Sequence, residues 1–551
     1  MSLSPLMSLG MTALAANYAA LQTTGNNIAN ANVAGYSRQQ VELATAQGQF
    51  TGAGFFGRGV DVATVSRAHD EFLTREAAAA KAAASMDSAR LGKLQQLETL
   101  FKPGAGGLGD AATQLFNAFV DMSSHPSDLS ARQVVLARAA DLASRFSDAA
   151  STLDGIQRSV SADAGTAVEQ VNALAKGVAS INQRIADLRG LSQPANDLLD
   201  ERERLIGKLS QQVQVTRVNA DDGSVGLFIG GGQRLVLGGS AAELKVVPDA
   251  SDPRRSAVAI MDGLNPRILD SNALGGGTLA GLMRFQNDDL QQGRRLIGQL
   301  AQGISTAINQ QQASGLTLAN VAGPALFKLD AAGIGLTSLL SNPRDLAAAS
   351  PLVASTPAAN KGTLASGALQ VTTAPLPFPG ASETLTFAAA VPPATGLVVQ
   401  SSLGGAAVPW VPGQALQGLN GYTLQITGVP AVGDTISVVP TTPGALASSN
   451  GNALSLAALR DASLVGGHTF TDAWSLAMAD VGVRSQSAKS TSDISTAVAS
   501  QAEFARSSQA GVNLDEEAAK LIQYQQSYQA AAKVLQVAQA VFDTLLQTAA
   551  R

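Results

Sequence analysis

Apolar residues recur at alternating intervals of four and three at both ends of the chain. In the first stretch Leu3, Met7, Gly10, Leu14, Asn17, Leu21, Thr24 and Ile28 keep that spacing, which predicts a helix packed along one seam and stopping at a Gly/Asn-rich turn. In the last, Leu514, Ala518, Leu521, Gln525, Tyr528, Ala532, Leu535, Gln539, Phe542 and Leu546 trace one seam, and Tyr524, Ser527, Ala531, Val534, Ala538, Val541 and Leu545 a second. The two are displaced by one residue, hence by about 100° around the helix. Two faces want partners. A helix of the same chain can occupy one, and the other calls for a further layer of packing; the alternative is an ordinary core helix of a large domain. Asn513 reads as the N-cap, with Asp515, Glu516 and Glu517 in the first turn, where the helix dipole favours acids.

Between the ends the pattern changes repeatedly. Gly-rich and alternating stretches over Val41–Val65 predict extended structure, followed by an Ala-rich helix from about Asp70 to Leu100 and the loop KPGAGGLGD. Helical patterning resumes at Ala111, and Ser130 with Gln133 predicts a capping box that opens a long amphipathic run towards Arg189. A helix over Asp197–Gln211 precedes two strand-like stretches, VQVTRV and SVGLFIGGGQRLVLGG, the second a hairpin with its glycines in the turn. A helix over Leu279–Gln312 follows. Leu346–Leu459 holds only Lys361, Glu383 and Asp434 as charges and twelve of the 21 prolines, so its alternating pieces SETLTFAA, YTLQITG and DTISVV predict a separate β-domain. Helix returns from about Thr471. The expected fold class is multidomain α+β, with a long helical coiled-coil stalk formed by both termini and inserted mixed and β-rich outer domains. Its segments are 1-36 with 512-551 (terminal coiled coil), 37-204 with 460-511 (helical stalk), 205-345 (mixed α/β) and 346-459 (β-rich).

Charge sharpens the reading of the ends. There is no Lys, Arg, Asp or Glu before Arg38, and between Leu521 and Ala550 only Lys533 and Asp543 are charged. A helix wetted on one face normally puts charges there, so these segments are helices buried nearly all round or polar tails, and the seams favour helices. Over the 551 residues the net charge of -5 gives no electropositive footprint for nucleic acid. Every candidate apolar run is interrupted by Asn, Gln, Ser or Thr, so no membrane insertion is expected. The N-terminus lacks the basic region of a cleaved signal peptide. With no cysteine, disulfides, thiolate metal sites and cysteine nucleophiles are excluded.

Candidate chemistry is sparse. Gly52, Gly54 and Gly57 satisfy G-x-G-x-x-G, but RGVDVATV after them alternates like a strand instead of opening a helix, so a turn is expected there and not a dinucleotide site. His69, His125 and His468 lack metal-ligand spacing and read as surface or packing residues. No P-loop or G-x-S-x-G elbow is present. Asp200, Glu201 and Glu203 beside Arg202 and Arg204 are expected to form solvated surface pairs on a helix. No catalytic, cofactor-binding or metal-binding residue is expected.

One segment is specific. Leu21–Gln39, LQTTGNNIANANVAGYSRQ, with Asn26, Asn27, Ile28, Asn30, Gly35 and Tyr36 at its centre, resembles the N-terminal signature of the flagellar rod, hook and hook-associated axial proteins. Its asparagines can satisfy backbone groups where a helix ends, and Gly35 permits a sharp change of direction. The segment GVNLDEEAAKLIQYQQSYQAAAKVLQVAQAVFDTLL resembles the C-terminal half of the same pattern. YSRQ, the FDTLL ending, HPSDLSARQ, LLDERERLI, LGGGTLAGLMRFQNDDL and GVPAVGDTISVVP are similar to blocks of the family's hook-associated junction branch, with agreement weakest over Leu352–Gln417.

That resemblance implies a non-enzymatic structural adaptor at the hook-filament junction, outside the cell, without cofactor. The resemblance further implies export, unfolded and without cleavage, through the flagellar type III apparatus. The implied partners are copies of itself in a ring, the hook protein, the second hook-associated junction protein and an export chaperone on the C-terminal helix. A hook or distal-rod subunit is the alternative within the family; a secreted effector or surface enzyme is the rival from another class. The residues expected to pack the axial helices are Leu3, Met7, Leu14, Leu21 and Ile28 at one end and Leu514, Leu521, Tyr528, Val534, Leu535, Val541, Phe542 and Leu546 at the other. Both helices are expected to be largely unfolded in the soluble monomer, because isolated helices gain too little without packing.

Overall fold

The computed structural model describes residues 4–51, 54–104, 106–188, 194–372, 381–392, 395–417 and 419–549, which leaves Leu3 and Gly52 outside the described residues. The helices are α1 (Ser4–Asn30), α2 (Glu71–Glu98), α3 (Leu108–Ser124), α4 (Leu129–Leu188), α5 (Asn196–Gln212), α6 (Thr278–Arg284), α7 (Gln291–Ala313), α8 (Gly451–Ala458), α9 (Phe470–Ala510) and α10 (Leu514–Ala549). The long ones fall where the 3.6-residue period places them. A wider turn over Phe285–Leu290 joins α6 to α7, and α8 was not expected inside a Pro-rich region. No described helix is long and apolar enough to cross a membrane.

The start of α4 differs from expectation. Asp128, not Ser130, caps it: the Asp128 carboxylate accepts from Ser130 N at 2.8 Å and its carbonyl accepts from Arg132 N. The Asp128 carboxylate stands immediately before the first helical residue and takes the free amide of the second, which puts Ser130 inside the first turn. At the other end of the chain Asn513 does cap α10, its side-chain oxygen accepting from Asp515 N at 3.0 Å.

The chain divides into two compact units. The first comprises Met1–Leu94, Gln157–Asn287 and Gln486–Arg551. In it β1 (Gln39–Thr45) pairs antiparallel with β4 (Val60–Arg67), with Val41 opposite Val65 and a bulge at Glu42/Leu43, while β2 (Gln49–Thr51) and β3 (Gly54–Phe56) form a hairpin between them. α1 lies against this ribbon and against α10. A four-stranded meander of β5 (Thr216–Asn219), β6 (Val225–Ile229), β7 (Gln233–Leu237) and β8 (Ser240–Ala241) follows α5. Next comes a three-stranded sheet in the order β11 (Asn265–Ile268), β10 (Ser256–Asp262), β9 (Leu244–Pro248), which the sequence pattern did not announce. Fully buried Val171, Val178, Leu209, Leu227 and Val236 make up part of its core.

The second unit comprises Gln95–Ile156 and Asp288–Ser485. Its helical part buries Phe116, Phe119, Phe146, Leu300 and Ile304, stacks Phe101 on Trp474 at 5.7 Å, and carries the short pair β12 (Phe327–Leu329) and β13 (Leu336–Ser338). Arg132 is fully buried there, donating to the carbonyls of Pro126, Pro343 and Leu346, and burial brings its pKa down to about 10. The expected β-region is a small sandwich. Five strands, β14 (Leu352–Ser355), β20 (Thr435–Pro440), β16 (Glu383–Ala389), β17 (Leu397–Ser401) and β18 (Val408–Pro409), form one sheet in that order. A second sheet pairs β15 (Ala365–Val371) with β19 (Tyr422–Thr427), and Leu385, Phe387, Val399, Leu424 and Ile436 fill the core.

Candidate assembly site

Where α1 ends, the chain must satisfy backbone groups that no longer have helical partners. Asn27, 1% exposed, does this for the returning strand: its Oδ1 accepts from Gln39 N at 2.9 Å and its Nδ2 donates to Gln39 O at 2.8 Å. The same amide donates to Glu517 of α10 at 2.8 Å, and Tyr36 donates its hydroxyl proton to Asn27 Oδ1 at 2.9 Å. Both donors and the acceptor of one side chain are therefore used, by partners from both ends of the chain. Glu517 is equally buried and also pairs with Lys520 at 2.8 Å. Burial, and then the negative charges of Asp200, Asp197 and Glu517, push the Tyr36 phenol up to about 12, so it stays a donor.

Gly35, at φ +87°, turns the chain back from α1 with the aliphatic stem of Arg204 beside it. Ser37 then donates twice to Asp200 of α5, from its amide at 2.9 Å and its hydroxyl at 2.8 Å. Arg67 at the end of β4 reaches Asp200 at 2.8 Å and Glu203 at 3.4 Å, and Arg217 of β5 reaches Glu203 at 2.7 Å. Arg38 completes the join: its amide donates to Ala510 O at 2.7 Å and its guanidinium to Glu516 at 3.1 Å. The Asn30 side chain donates to Asn26 O within its own helix, and Asn26 is exposed.

The α5 charges need correcting. The Glu201–Arg204 pair is the half-exposed surface pair expected, but Asp200 and Arg202 are buried and the Glu203 side chain is only 12% exposed. Three- and four-residue charge spacing marks a solvated face only if nothing packs over it, and here the 34–37 turn, β4 and the meander do. Burial raises the Glu203 carboxyl, yet Arg217 and Arg67 outweigh it and hold it below the usual range. Arg202, brought down to about 10 by burial, donates to Asn182 of α4 and to Gly223 O. His69 stands 3.9 Å from Glu203, and burial together with Arg67 holds its imidazole below the ordinary value.

The remaining predicted residues lie along the pair α1/α10. These helices run antiparallel: Asn27 meets Glu517, and a Cβ on Gly10 would lie only 2.9 Å from Leu535 Cγ. The covered side of α10 runs between the two predicted seams, through Glu517, Leu521, Tyr524, Ser527, Ala531, Leu535 and Ala538. Met7, Leu14, Leu21 and Ile28 are half-buried on α1. Leu514, Tyr528, Val534, Val541, Phe542 and Leu546 are exposed, as are Ile522 and Val537, the last at 58%. Spacing alone missed Ser37, Arg67 and Asp200; the signal for Ser37 and Asp200 was their place in the signature blocks, and Arg67 had none.

Beside this join, α2, α5, α9 and the 34–37 turn enclose a cavity of about 380 Å³ with Lys81, Glu503, Arg506, Arg204 and Lys208 among its walls.

Known proteins match along the whole chain. The model of the flagellar hook-associated protein FlgK helical domain matches residues 94–327, that of the flagella basal body rod protein 7–36, and that of the flagellar basal body rod FlgEFG protein C-terminal region 506–548. Flagellar hook-associated protein 1 of Escherichia coli is 30% identical over 99% of this chain and all of its own length, and that of Salmonella typhimurium 31% over the same shares. The chain belongs to the flagellar hook-associated protein 1 family. The two rod models cover little more than α1 and α10, the parts a hook or rod subunit would share. Agreement through the middle is what assigns the chain to hook-associated protein 1. The fold is that of the flagellar hook junction protein FlgK from Burkholderia pseudomallei, with a TM-score of 0.69 at 22% identity, covering 79% of this chain and all of that one.

Proposed function

We infer that this chain, a structural component of the flagellar hook-filament junction, does its work through the exposed flanks of α10 and the seam of α1. The carrying observation is the row of large apolar side chains left uncovered from Leu514 to Leu546, on a helix with only Lys533 and Asp543 charged beyond Leu521. An apolar surface of that length on a charge-poor helix calls for protein neighbours. Copies of the same chain in a ring supply them laterally; the hook protein on one side and the second hook-associated junction protein on the other supply them axially. An export chaperone covers α10 before secretion through the type III apparatus, and the assembled protein lies outside the cell. Residues 1-36 with 512-551 form the axial part, 37-204 with 460-511 the stalk, 205-345 a mixed domain and 346-459 the outer domain. No catalytic step, nucleic acid or membrane insertion enters this reading.

The test is complementation of a strain lacking the gene with Val537→Asp and Val541→Asp chains. Both positions are exposed, so circular dichroism should be unchanged, while electron microscopy shows complete hooks without filaments. Filaments in wild-type number on either variant would show that this surface is not the assembly surface.

A further inference from the structure

The cavity beside the signature turn carries more positive charge than its own carboxylates neutralise. Lys81 and Arg506 converge on one acid, Glu503, at 2.7 and 2.6 Å. On the opposite wall Arg204 pairs with Glu201, and Lys208 acts on that same carboxylate through space. Each trio has two cations for one anion, so each is left with one positive charge. The neighbouring cluster of Arg67, Arg217, Asp200 and Glu203 is balanced among itself, and the buried Arg202 beside it donates to neutral acceptors. Two uncompensated charges thus face about 380 Å³ of open space, in a chain whose net charge is -5. Such an excess around a concave space attracts an anion of matching charge, and guanidinium groups match the oxygens of carboxylates and phosphates bidentately.

We propose that this cavity binds a doubly charged oxyanion group, either a free dianion of the phosphate type or a pair of carboxylates presented by an adjacent copy of the chain. Bound there, the anion ties α2, α5 and α9 to the 34–37 turn, and so to the start of the terminal helix pair. Only the carboxylate source rests on the ring reading above.

Thermal unfolding of the full chain in inorganic phosphate, against sodium chloride at equal ionic strength, tests the first source. At about tenfold excess over the dissociation constant, phosphate should raise Tm by roughly 1–2 °C, and Lys208→Gln and Arg506→Gln should each diminish that rise. Filament attachment in the complemented strain tests the second: Lys208→Glu should abolish it with the monomer still folded and secreted. A phosphate-specific rise lost in the variants supports a free dianion. No rise, with loss of attachment in Lys208→Glu, supports the carboxylates. A rise that persists in both variants, or no rise with normal attachment, overturns the proposal.

Discussion

The base and the tip of the helix pair α1/α10 are built on opposite principles. At the base Asn27, Tyr36, Ser37, Asp200 and Glu517 are joined by directed hydrogen bonds, and few of their polar groups can be moved without leaving another unpaired. At the tip the helices meet through a small residue, Gly10 against Leu535, and the flanks of α10 are apolar and open. A directed network fixes one geometry; an apolar flank accepts whichever neighbour brings matching surface. One helix pair can therefore be rigid where it joins its own chain and adaptable where it meets others.

Asn27→Ala should break the base most severely. It strips partners from Gln39, Tyr36 and Glu517 at once, and a cost of about 3–5 kcal/mol in urea unfolding is expected; a loss under about 1 kcal/mol would mean that the network is no more binding than the tip. Gly10→Val probes the other end by pushing Leu535 away, at roughly 1–3 kcal/mol. Its signature in amide exchange is faster exchange along the distal parts of α1 and α10 with the amide of Gln39 unchanged. Equal acceleration at both would erase the distinction.

A smaller effect comes from acid. His69 and Glu203 both have folded-state values below their ordinary ones. The unfolded chain therefore takes up protons first, and stability present near neutrality falls as pH drops, from below 6.5 for His69 and from below 4.5 for Glu203, until the folded values are passed. His69→Gln should flatten the upper part of that profile; an unchanged slope there would remove His69 from the account. Smallest of all, Val537→Ser on the open flank should shift stability by no more than about 0.5 kcal/mol, which a urea midpoint can check. The contrast also refines the expectation of loose terminal helices: in dilute monomer the tip should exchange quickly and the base slowly.

Helix positions were legible because a period sustained over several turns survives any tertiary context, and the caps at Asn513 and near Asp128 were visible to within two residues. The base was not legible. Asp200 and Glu203 sit in a charge pattern that spells a surface helix, and nothing local says that Arg67 and Ser37 close over it. Glu517 looked like an ordinary first-turn acid because its second partner, Asn27, lies at the other end of the chain. β9 to β11 escaped notice because each is a short run without alternation: β10 is buried on both faces along most of its length, whereas β11 is exposed throughout.

The Asn27–Glu517 hydrogen bond spans 490 positions, whereas the bond from the same side chain to Gln39 spans 12. In a flexible chain, closing the longer loop costs about 3 kcal/mol more in entropy than closing the shorter. The local half of the network can therefore form as soon as residue 39 is free to fold, while the other half waits for the last tenth of the chain. A polypeptide cut short before Glu517 keeps the Asn27 amide one acceptor short, so the bond works as a check on completeness, made only when both ends have arrived.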